Sequence, residues 1–298
     1  MEQNKEQRME MSSEKILCAY SGKPGAYAQQ AIEKYFDNKV ECFALDSFTE
    51  VFAAVSKQKV QYAMIPIENS LNGSVYQNYD NFIRHDDIVI VGSVSLSIHH
   101  SLLVCKGTKL EDIKTVYSHP QGFGQSGKFL EAHKNWTLID SVSTATAAEY
   151  VSSSGDKSKA AIASLVNAKI YNLDVLSQDI QDEKTNYTRF VLITKKNSAF
   201  DKIENANTAT FIFTTKNAPG ALYKVLGVFD KYKLNMTRIE SRPIKGQLWK
   251  SWFYVDIEMK NICHERNDFI QLLLNELKEN TESVRLLGVY LEGQLTEC

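Results

Sequence analysis

The chain has 298 residues, of which 43% are hydrophobic and 23% charged, and its formal net charge is −2. This length is enough for a sizeable core and two or three domains, and the composition is ordinary for a globular protein. A near-neutral charge without a basic run argues against nucleic acid and anionic membranes as partners. The five cysteines form no CxxC pair, and their odd number favours a reducing compartment.

Two segments in the first third of the chain bear on its location. Residues 1–14 lack the apolar segment of a secretory signal, so we expect a disordered tail there. Residues 88–105 contain no Asp, Glu, Lys or Arg, which raises the possibility of a membrane span. Within that run, however, Val94–His99 alternates apolar and polar residues, and this period of two predicts a strand. We therefore expect a cytoplasmic protein that does not enter the membrane.

Short apolar runs alternate with helical stretches from residue 15 to about residue 195. The predicted strands are Ile16–Tyr20, Tyr62–Ile67, Thr115–Tyr117 and Ala160–Ala163, and the predicted helices are Gly25–Phe36 and Ser47–Ser56. Such alternation predicts an α/β architecture with a mostly parallel sheet.

A second pattern begins after a polar joint at residues 201–207. It predicts strand Thr210–Thr214, helix Pro219–Tyr232, strands Asn235–Ser241 and Trp249–Glu258, helix Asp268–Lys278 and strand Val284–Tyr290. This βαββαβ order is that of a ferredoxin-like module.

Two polar turns follow the first predicted strands. Ser21–Tyr27 leads into a helix, and its two glycines let the backbone approach a ligand while the helix start offers amides to an anion. A plain βα turn explains the same residues. Pro66–Val75 (PIENSLNGSV) places a carboxylate, an amide and hydroxyls after a strand, where ligands of α/β sheets gather. Helix capping and turn closure are alternative uses of Asn69 and Ser70.

Three later segments also carry polar groups suited to a ligand. Ser118–Gln125 opens a predicted helix, and His119 within it serves either as an acid or to hold the turn. Ser143–Ala148 presents small side chains and amides at a helix start. In Asn186–Phe190 a hydroxyl adjoins a guanidinium, which suits an anionic substrate whose leaving group needs a hydrogen bond. Alone, those residues fit an edge strand with an exposed arginine.

In chain order, these motifs resemble the prephenate dehydratase family from about Ile16 to Leu287. The matching strings are PIENS, SHPQ, AAIAS, IQD and NYTRF, while Ala28, Ser143 and Gly122–Gly124 depart from the family pattern. The resemblance implies an α/β, two-lobed, periplasmic-binding-protein-like catalytic region at residues 15–198, with the site in the cleft. Lobe 1 is expected at 15–93 and 178–198, and lobe 2 at 94–177.

The same resemblance implies the roles of the site residues. Thr188 would donate a hydrogen bond to the departing oxygen of prephenate, and Arg189 would hold a substrate carboxylate through a bidentate fork. The residues implied to bind substrate are Gly25, Asn69, Ser70, Ser118, Gln125, Thr144, Asn186 and Phe190. No motif for a metal or an organic cofactor occurs, and we expect neither.

Gly220–Leu226 and Glu240–Pro243 resemble the GALxxxL and ESRP motifs of an ACT regulatory domain, expected at residues 207–290. Alone, Leu222 and Leu226 fit core positions four residues apart. The resemblance implies feedback inhibition by L-phenylalanine in a homodimer or homotetramer, with the effector at the subunit interface. The residues implied to bind it are Asn217, Gly220, Ala221, Leu222, Glu240, Ser241, Arg242 and Pro243.

We therefore expect a prephenate dehydratase, a lyase of L-phenylalanine biosynthesis. Too few residues precede Ile16 for a chorismate mutase domain, so a monofunctional enzyme is expected. Arogenate dehydratase is an alternative, because it shares every motif and its substrate carries an ammonium where prephenate has a keto group. The other alternative is a non-catalytic amino-acid-binding sensor made of the two lobes and an ACT module. The Thr188-Arg189 and Asn69-Ser70 pairs favour the enzyme.

Overall fold

The computed structural model describes residues 15–37, 39–196, 205–259 and 266–296. The predicted tail at residues 1–14 and most of the predicted polar joint lie outside these ranges. Within them the strands form three sheets, which we take in turn.

The first sheet has the strand order β16-β5-β11-β3-β1-β2, with the short β4 paired to β3. Its strands are β1 (Ile16–Ser21), β2 (Val40–Leu45), β3 (Tyr62–Asn69), β4 (Gly73–Ser74), β5 (Ile88–Ser97), β11 (Tyr187–Lys195) and β16 (Glu292–Thr296). Its helices are α1 (Tyr27–Tyr35), α2 (Phe48–Ser56) and α3 (Tyr76–Arg84). The prediction of a mostly parallel sheet was partly wrong, because β11 runs antiparallel to both β3 and β5.

The second sheet has the order β10-β6-β9-β7-β8. Its strands are β6 (Ser101–Val104), β7 (Thr115–Ser118), β8 (Thr137–Asp140), β9 (Lys159–Ala163) and β10 (Asp174–Ser177). Its helices are α4 (Pro120–Gly124), α5 (Gly127–Glu131), α6 (Thr144–Ser154) and α7 (Val166–Ile170), besides a 3₁₀ turn at Leu110–Asp112. Residues 98–100 and 178–186 connect the two sheets. Strand β5 thus stays in the first sheet beyond the expected exit near residue 93.

The third sheet has the order β13-β14-β12-β15. Its elements are β12 (Thr208–Thr215), α8 (Ala221–Lys231), β13 (Met236–Pro243), β14 (Ser251–Glu258), α9 (Arg266–Asn280) and β15 (Thr281–Tyr290). This is the predicted βαββαβ order. The predicted α/β class, two-lobed with a C-terminal ferredoxin-like module, is confirmed.

The third sheet is buried on both faces, and this packing joins it to the first lobe. On one face, Phe211, Phe213 and Val255 pack with α8 and α9 in the core of the module. On the other face, Tyr254 and Tyr290 join the core formed by the first sheet with α2 and α3. The C-terminal β16 then pairs with β5, so the chain after the module rejoins the first lobe.

The charge-free run at residues 88–105 forms β5 and β6 and lies largely buried in the two lobes. Among the described residues, no helix is long and apolar enough to cross a membrane.

Candidate active site between the two lobes

The predicted catalytic threonine lies in the first lobe, where the end of β3 pairs with the start of β11. Thr188 pairs in register with Asn69, and the Asn69 amide donates to the Thr188 hydroxyl over 2.9 Å. Among the described residues, Asn69 is the one hydrogen-bond partner of the Thr188 hydroxyl oxygen, and the oxygen accepts in that bond. The hydroxyl proton is therefore left to donate to a bound molecule.

The Asn69 side chain is fully engaged within the protein. Its nitrogen also donates to the Asn186 side-chain oxygen at 2.8 Å and to the Tyr187 carbonyl at 3.1 Å, and its oxygen accepts from two backbone amides at 3.0 Å. Ser70 likewise donates to Thr185 O and accepts from Tyr187 N. Both side chains thus build the support of Thr188, where the sequence predicted direct contact with substrate.

The helix α6 of the second lobe packs its first turn against residues of the first lobe. Ser143, which stands where the family pattern has an aspartate, caps α6 by accepting from Thr146 N at 3.1 Å, so its hydroxyl supplies the acceptor that an aspartate would give. The first amides of the helix, on Thr144 and Ala145, have no intrahelical acceptor. Ala145 packs in one cluster with Leu96, the register partner of Thr188, and with Phe190. The start of α6, where free amides suit an anion, therefore packs against the same hydrophobic cluster as Leu96 and Phe190.

Two glycines let neighbouring groups approach closely at the cleft. A Cβ on Gly122 would lie 2.4 Å from the Ser118 hydroxyl, which explains the glycine in this altered segment. Gly25 has a φ of +86°, and its Cβ would lie 2.3 Å from the Asn167 side chain of α7. The Gly25 carbonyl accepts from that same side chain at 3.2 Å. Gly25 therefore sits at a contact between the lobes.

Four of the predicted binding residues are buried within the protein. The Ser118 hydroxyl is buried and donates to Ile162 O at 2.8 Å, and Gln125 pairs with the His100 ring at 2.8 Å. Asn186 is buried beside Asn69, with its amide nitrogen unpartnered among the described residues. Phe190 is buried in the core. Thr144 remains at the helix start, partly exposed.

Arg189 is on the opposite face of β11 from Thr188, because consecutive strand residues point to opposite faces. Its guanidinium lies 2.9 Å from Asp256 and 3.0 Å from Glu292, and 19% of its side chain is exposed. The predicted carboxylate fork therefore stays a prediction. Two acidic side chains of the C-terminal part of the chain already occupy the guanidinium.

The connections between the lobes hold a polar network around His99 and His100, of which the sequence motifs singled out only Gln181 of the IQD string. His99 lies between Ser97, at 2.9 Å, and Asp179, at 2.7 Å, and Gln181 accepts from the His100 backbone at 2.9 Å. Ser97 is only 2% exposed, so this serine–histidine–aspartate arrangement braces the connection and lacks an accessible nucleophile. In the sequence, the feature that could have indicated this network is the His99–His100 pair within the run 88–105, which has no Asp, Glu, Lys or Arg.

His119 accepts a hydrogen bond from Gln121 N and caps α4, so of its two predicted roles the geometry favours holding the turn. Burial lowers the pKa of His119, although nearby Asp140 opposes this. Asp182, of the IQD string, caps α5 by accepting from the amides of Gly127 and Lys128.

The stability of the protein is expected to fall as the pH drops below about 6.5, the ordinary pKa of histidine. Burial lowers the pKa of His100 in the folded protein, although its bond to Gln125 opposes this. The unfolded chain then binds the proton first, so stability present above pH 6.5 is lost on acidification toward the folded pKa. Urea unfolding of wild type and His100→Gln between pH 7.5 and 5.5 measures the free energy of unfolding at each pH. The same dependence of this free energy on pH in both proteins would contradict the prediction.

The predicted effector residues fall into two groups. Asn217, Gly220, Ala221 and Leu222 line a cavity of about 310 Å³ that Trp249 and Phe253 also border. On the edge strand β13, Glu240 and Arg242 face the first lobe: Glu240 accepts from Ser74 at 2.5 Å, and Arg242 pairs with Asp80 at 3.2 Å. Ser241 and Pro243 alternate to the other face of the strand, where they pair in register with Phe253 and Ser251 of the cavity lining.

Comparison with known proteins finds one family for this chain. Residues 18–198 match the family model of prephenate dehydratase. Arogenate dehydratase 2 of Petunia hybrida is 36% identical over 95% of this chain and 73% of its own length.

Two solved structures share the fold over most of the chain. A prephenate dehydratase of Arthrobacter aurescens, solved in complex with L-Phe, has a TM-score of 0.82 at 25% identity, covering 93% of this chain and 90% of its own. GqqA, described as a novel type of quorum quenching acylase, has a TM-score of 0.81 at 28% identity, covering 93% and 98%. The fold is thus found under more than one described activity.

Proposed function

Because the chain belongs to the prephenate dehydratase family, we propose that it converts prephenate to phenylpyruvate, carbon dioxide and water in L-phenylalanine biosynthesis. The observation that carries the proposal is the Thr188 hydroxyl, which accepts a hydrogen bond from the Asn69 amide and keeps its own proton free to donate.

The reaction needs the prephenate dianion to be oriented and the departure of its ring hydroxyl group to be assisted. The bond between the ring carbon and its carboxylate breaks to release carbon dioxide, and its electron pair completes the aromatic ring. The ring C–O bond breaks in turn, and the departing hydroxide takes up one proton to become water. A threonine hydroxyl is a poor acid, so Thr188 contributes a hydrogen bond that strengthens as negative charge develops on the leaving oxygen.

The start of α6 is the proposed seat of one substrate carboxylate. Two unpaired amides and the positive end of the helix dipole favour an anion there. Seating the carboxylate on the second lobe and the leaving group against Thr188 on the first would orient the dianion across the cleft.

The test is turnover by the purified protein of prephenate and, separately, of arogenate, followed as phenylpyruvate and phenylalanine formation. Phenylpyruvate formed from prephenate supports the proposal. Preference for arogenate supports the second candidate, arogenate dehydratase, which is favoured by the 36% identity to the Petunia relative. Turnover of neither would overturn both and leave the amino-acid sensor.

We further propose that residues 15–198 form the catalytic domain and residues 207–290 an ACT domain through which L-phenylalanine inhibits. The cavity bordered by Asn217–Leu222 supports an effector site, as does the L-Phe complex of the Arthrobacter protein. Beside that cavity, Trp249, Leu248 and Tyr223 are largely exposed. Such an apolar rim suits a second copy of this chain, so we propose a homodimer or homotetramer with the effector at the interface.

Replacing Glu240 by alanine is expected to raise the phenylalanine concentration for half-inhibition at least fivefold. The side chain joins β13 to Ser74, at the turn that follows the Asn69 strand, so its loss uncouples the ACT domain from the catalytic lobe. Phenylalanine titration of the initial rate measures this. Asp230→Asn, an exposed change on α8, is the control. Identical inhibition of wild type and Glu240→Ala would remove Glu240 from the regulatory role.

A cytoplasmic location is also proposed. The free thiols Cys18, Cys42 and Cys105 fit a reducing compartment.

A further inference from the structure

A buried ion network connects the strand of Thr188 to the C-terminal sheet. At its centre is Asp256 on β14, which is fully buried. One carboxylate oxygen accepts from Arg189 Nη1 and from Arg238 Nε, each at 2.9 Å. The other accepts from the Thr210 hydroxyl at 2.7 Å and from Arg238 Nη2 at 3.2 Å. Arg189 completes the network with Glu292 at 3.0 Å.

The charges in this network balance, which explains how they tolerate burial. Two guanidinium groups face the carboxylates of Asp256 and Glu292. Burial alone would raise the pKa of Asp256, but the charges of Arg238 and Arg189 and the Thr210 bond hold it below its usual range. A buried carboxylate with all its contacts satisfied is rigidly placed, and removing one partner leaves an uncompensated charge.

The two arginines lie at irregular points of their strands. The pairing of β11 with β3 shifts register between Arg189 and Phe190, directly after Thr188. The pairing of β13 with β14 shifts between Met236 and Arg238, two residues before Glu240. At such a shift the backbone ladder to one neighbouring strand is interrupted. On its other side β11 pairs regularly with β5 from Tyr187 to Leu192, so the ion pairs to Asp256 add a side-chain constraint at both shifts.

We propose that Asp256 is a positioning residue of the active site: it holds Arg189, thereby fixes the placement of the Thr188 hydroxyl, and transmits displacement of β13 to that hydroxyl. The inference rests on the proposed function for its kinetic part. The route contains only bonded or covalent steps, from Glu240 along β13 to Arg238, through Asp256 to Arg189, and along β11 to Thr188.

The kinetic test compares Asp256→Asn with Asp80→Asn. Both remove a carboxylate at the contact between the first lobe and the C-terminal sheet, but Asp80 pairs with Arg242 and lies outside the network. Asp256→Asn is expected to lower kcat about 10- to 100-fold with KM within threefold, because small misplacements of a reacting group have effects of that size. Asp80→Asn should keep kcat within twofold. A folded Asp256→Asn protein with kcat within threefold of wild type would overturn the proposal.

A double-mutant cycle separates positioning from a general structural defect. If Asp256 acts through Arg189, then Arg189→Gln combined with Asp256→Asn should have a kcat within twofold of the slower single variant. Multiplicative losses would show independent action and refute the route. Should Asp256→Asn fail to fold, Arg238→Lys is tested in its place. This change keeps the positive charge but loses the paired guanidinium hydrogen bonds to Asp256. Arg238→Lys is expected to raise the half-inhibitory phenylalanine concentration at least threefold. An unchanged half-inhibitory concentration would also refute the route.

Hydrogen–deuterium exchange gives a readout that needs no turnover. Adding phenylalanine to wild type should change amide exchange at residues 217–222 and at 187–190, and in Asp256→Asn the change at 187–190 should disappear while that at 217–222 remains. No response at 187–190 in wild type, or its persistence in the variant, would overturn the inference. A wild type that turns over neither prephenate nor arogenate would refute the proposed function alone, and the exchange comparison would still decide this inference.

Discussion

Replacing Thr188 by alanine is expected to lower kcat by about 10² to 10⁴-fold while KM changes little, as removal of an oxyanion-type or proton donor does. The hydroxyl accepts from Asn69 and has its proton free, so its bond to the leaving oxygen strengthens only as charge develops. An interaction made in the transition state affects kcat, whereas uniform binding affects KM. Steady-state rates of phenylpyruvate formation measure both parameters.

Two further variants at this position isolate the hydroxyl. Thr188→Ser keeps the donor and should recover most of the rate, whereas Thr188→Val keeps the branched shape without the hydroxyl and should resemble the alanine variant. A kcat of Thr188→Ala or Thr188→Val within threefold of wild type would show that the hydroxyl has no part in the chemistry.

The sequence predicted the α/β class and the C-terminal module because both depend on local periodicity, whereas the two-lobed arrangement was implied by the family resemblance. The βαββαβ order follows from apolar spacings along residues 208–290 and needs no long-range information. The support of Thr188 is a different case. Asn69 reaches Thr188 across 119 positions of sequence, and only the register of β3 on β11 decides whether its amide faces substrate or protein. A motif that names the residue does not contain that register.

Buried charges were the hardest part of the site to predict. Asp256 lies in an apolar strand and finds its partners on β11 and β13, so nothing near it in sequence indicates how its charge is balanced. The C-terminal β16 was missed for a similar reason. It is a short edge strand, and its pairing with β5 depends on where the preceding module packs. Both features follow from contacts between domains, and the local spacing of apolar residues carries no information about such contacts.

Replacing Arg189 by glutamine is expected to lower the free energy of unfolding by about 3 kcal/mol, at the lower end of the 3–5 kcal/mol typical for removing one partner of a buried ion pair. Glu292 loses its contact to Arg189 in this variant. The loss of stability is nevertheless at the lower end of the range, because Asp256 keeps Arg238 as a partner. KM for prephenate should change less than threefold, because the guanidinium faces the C-terminal sheet and not the cleft. Denaturant unfolding and steady-state kinetics measure the two effects.

This result separates the two roles that Arg189 can have. A substrate fork predicts a large rise in KM with ordinary stability, since a lost charged contact weakens binding of the dianion. The ion pairs with Asp256 and Glu292 predict lost stability with KM preserved. Arg84→Gln, an exposed change on the same lobe, is the control and should alter neither quantity. A KM raised more than tenfold in a protein of wild-type stability would restore the fork and require the guanidinium to leave Asp256 when substrate binds.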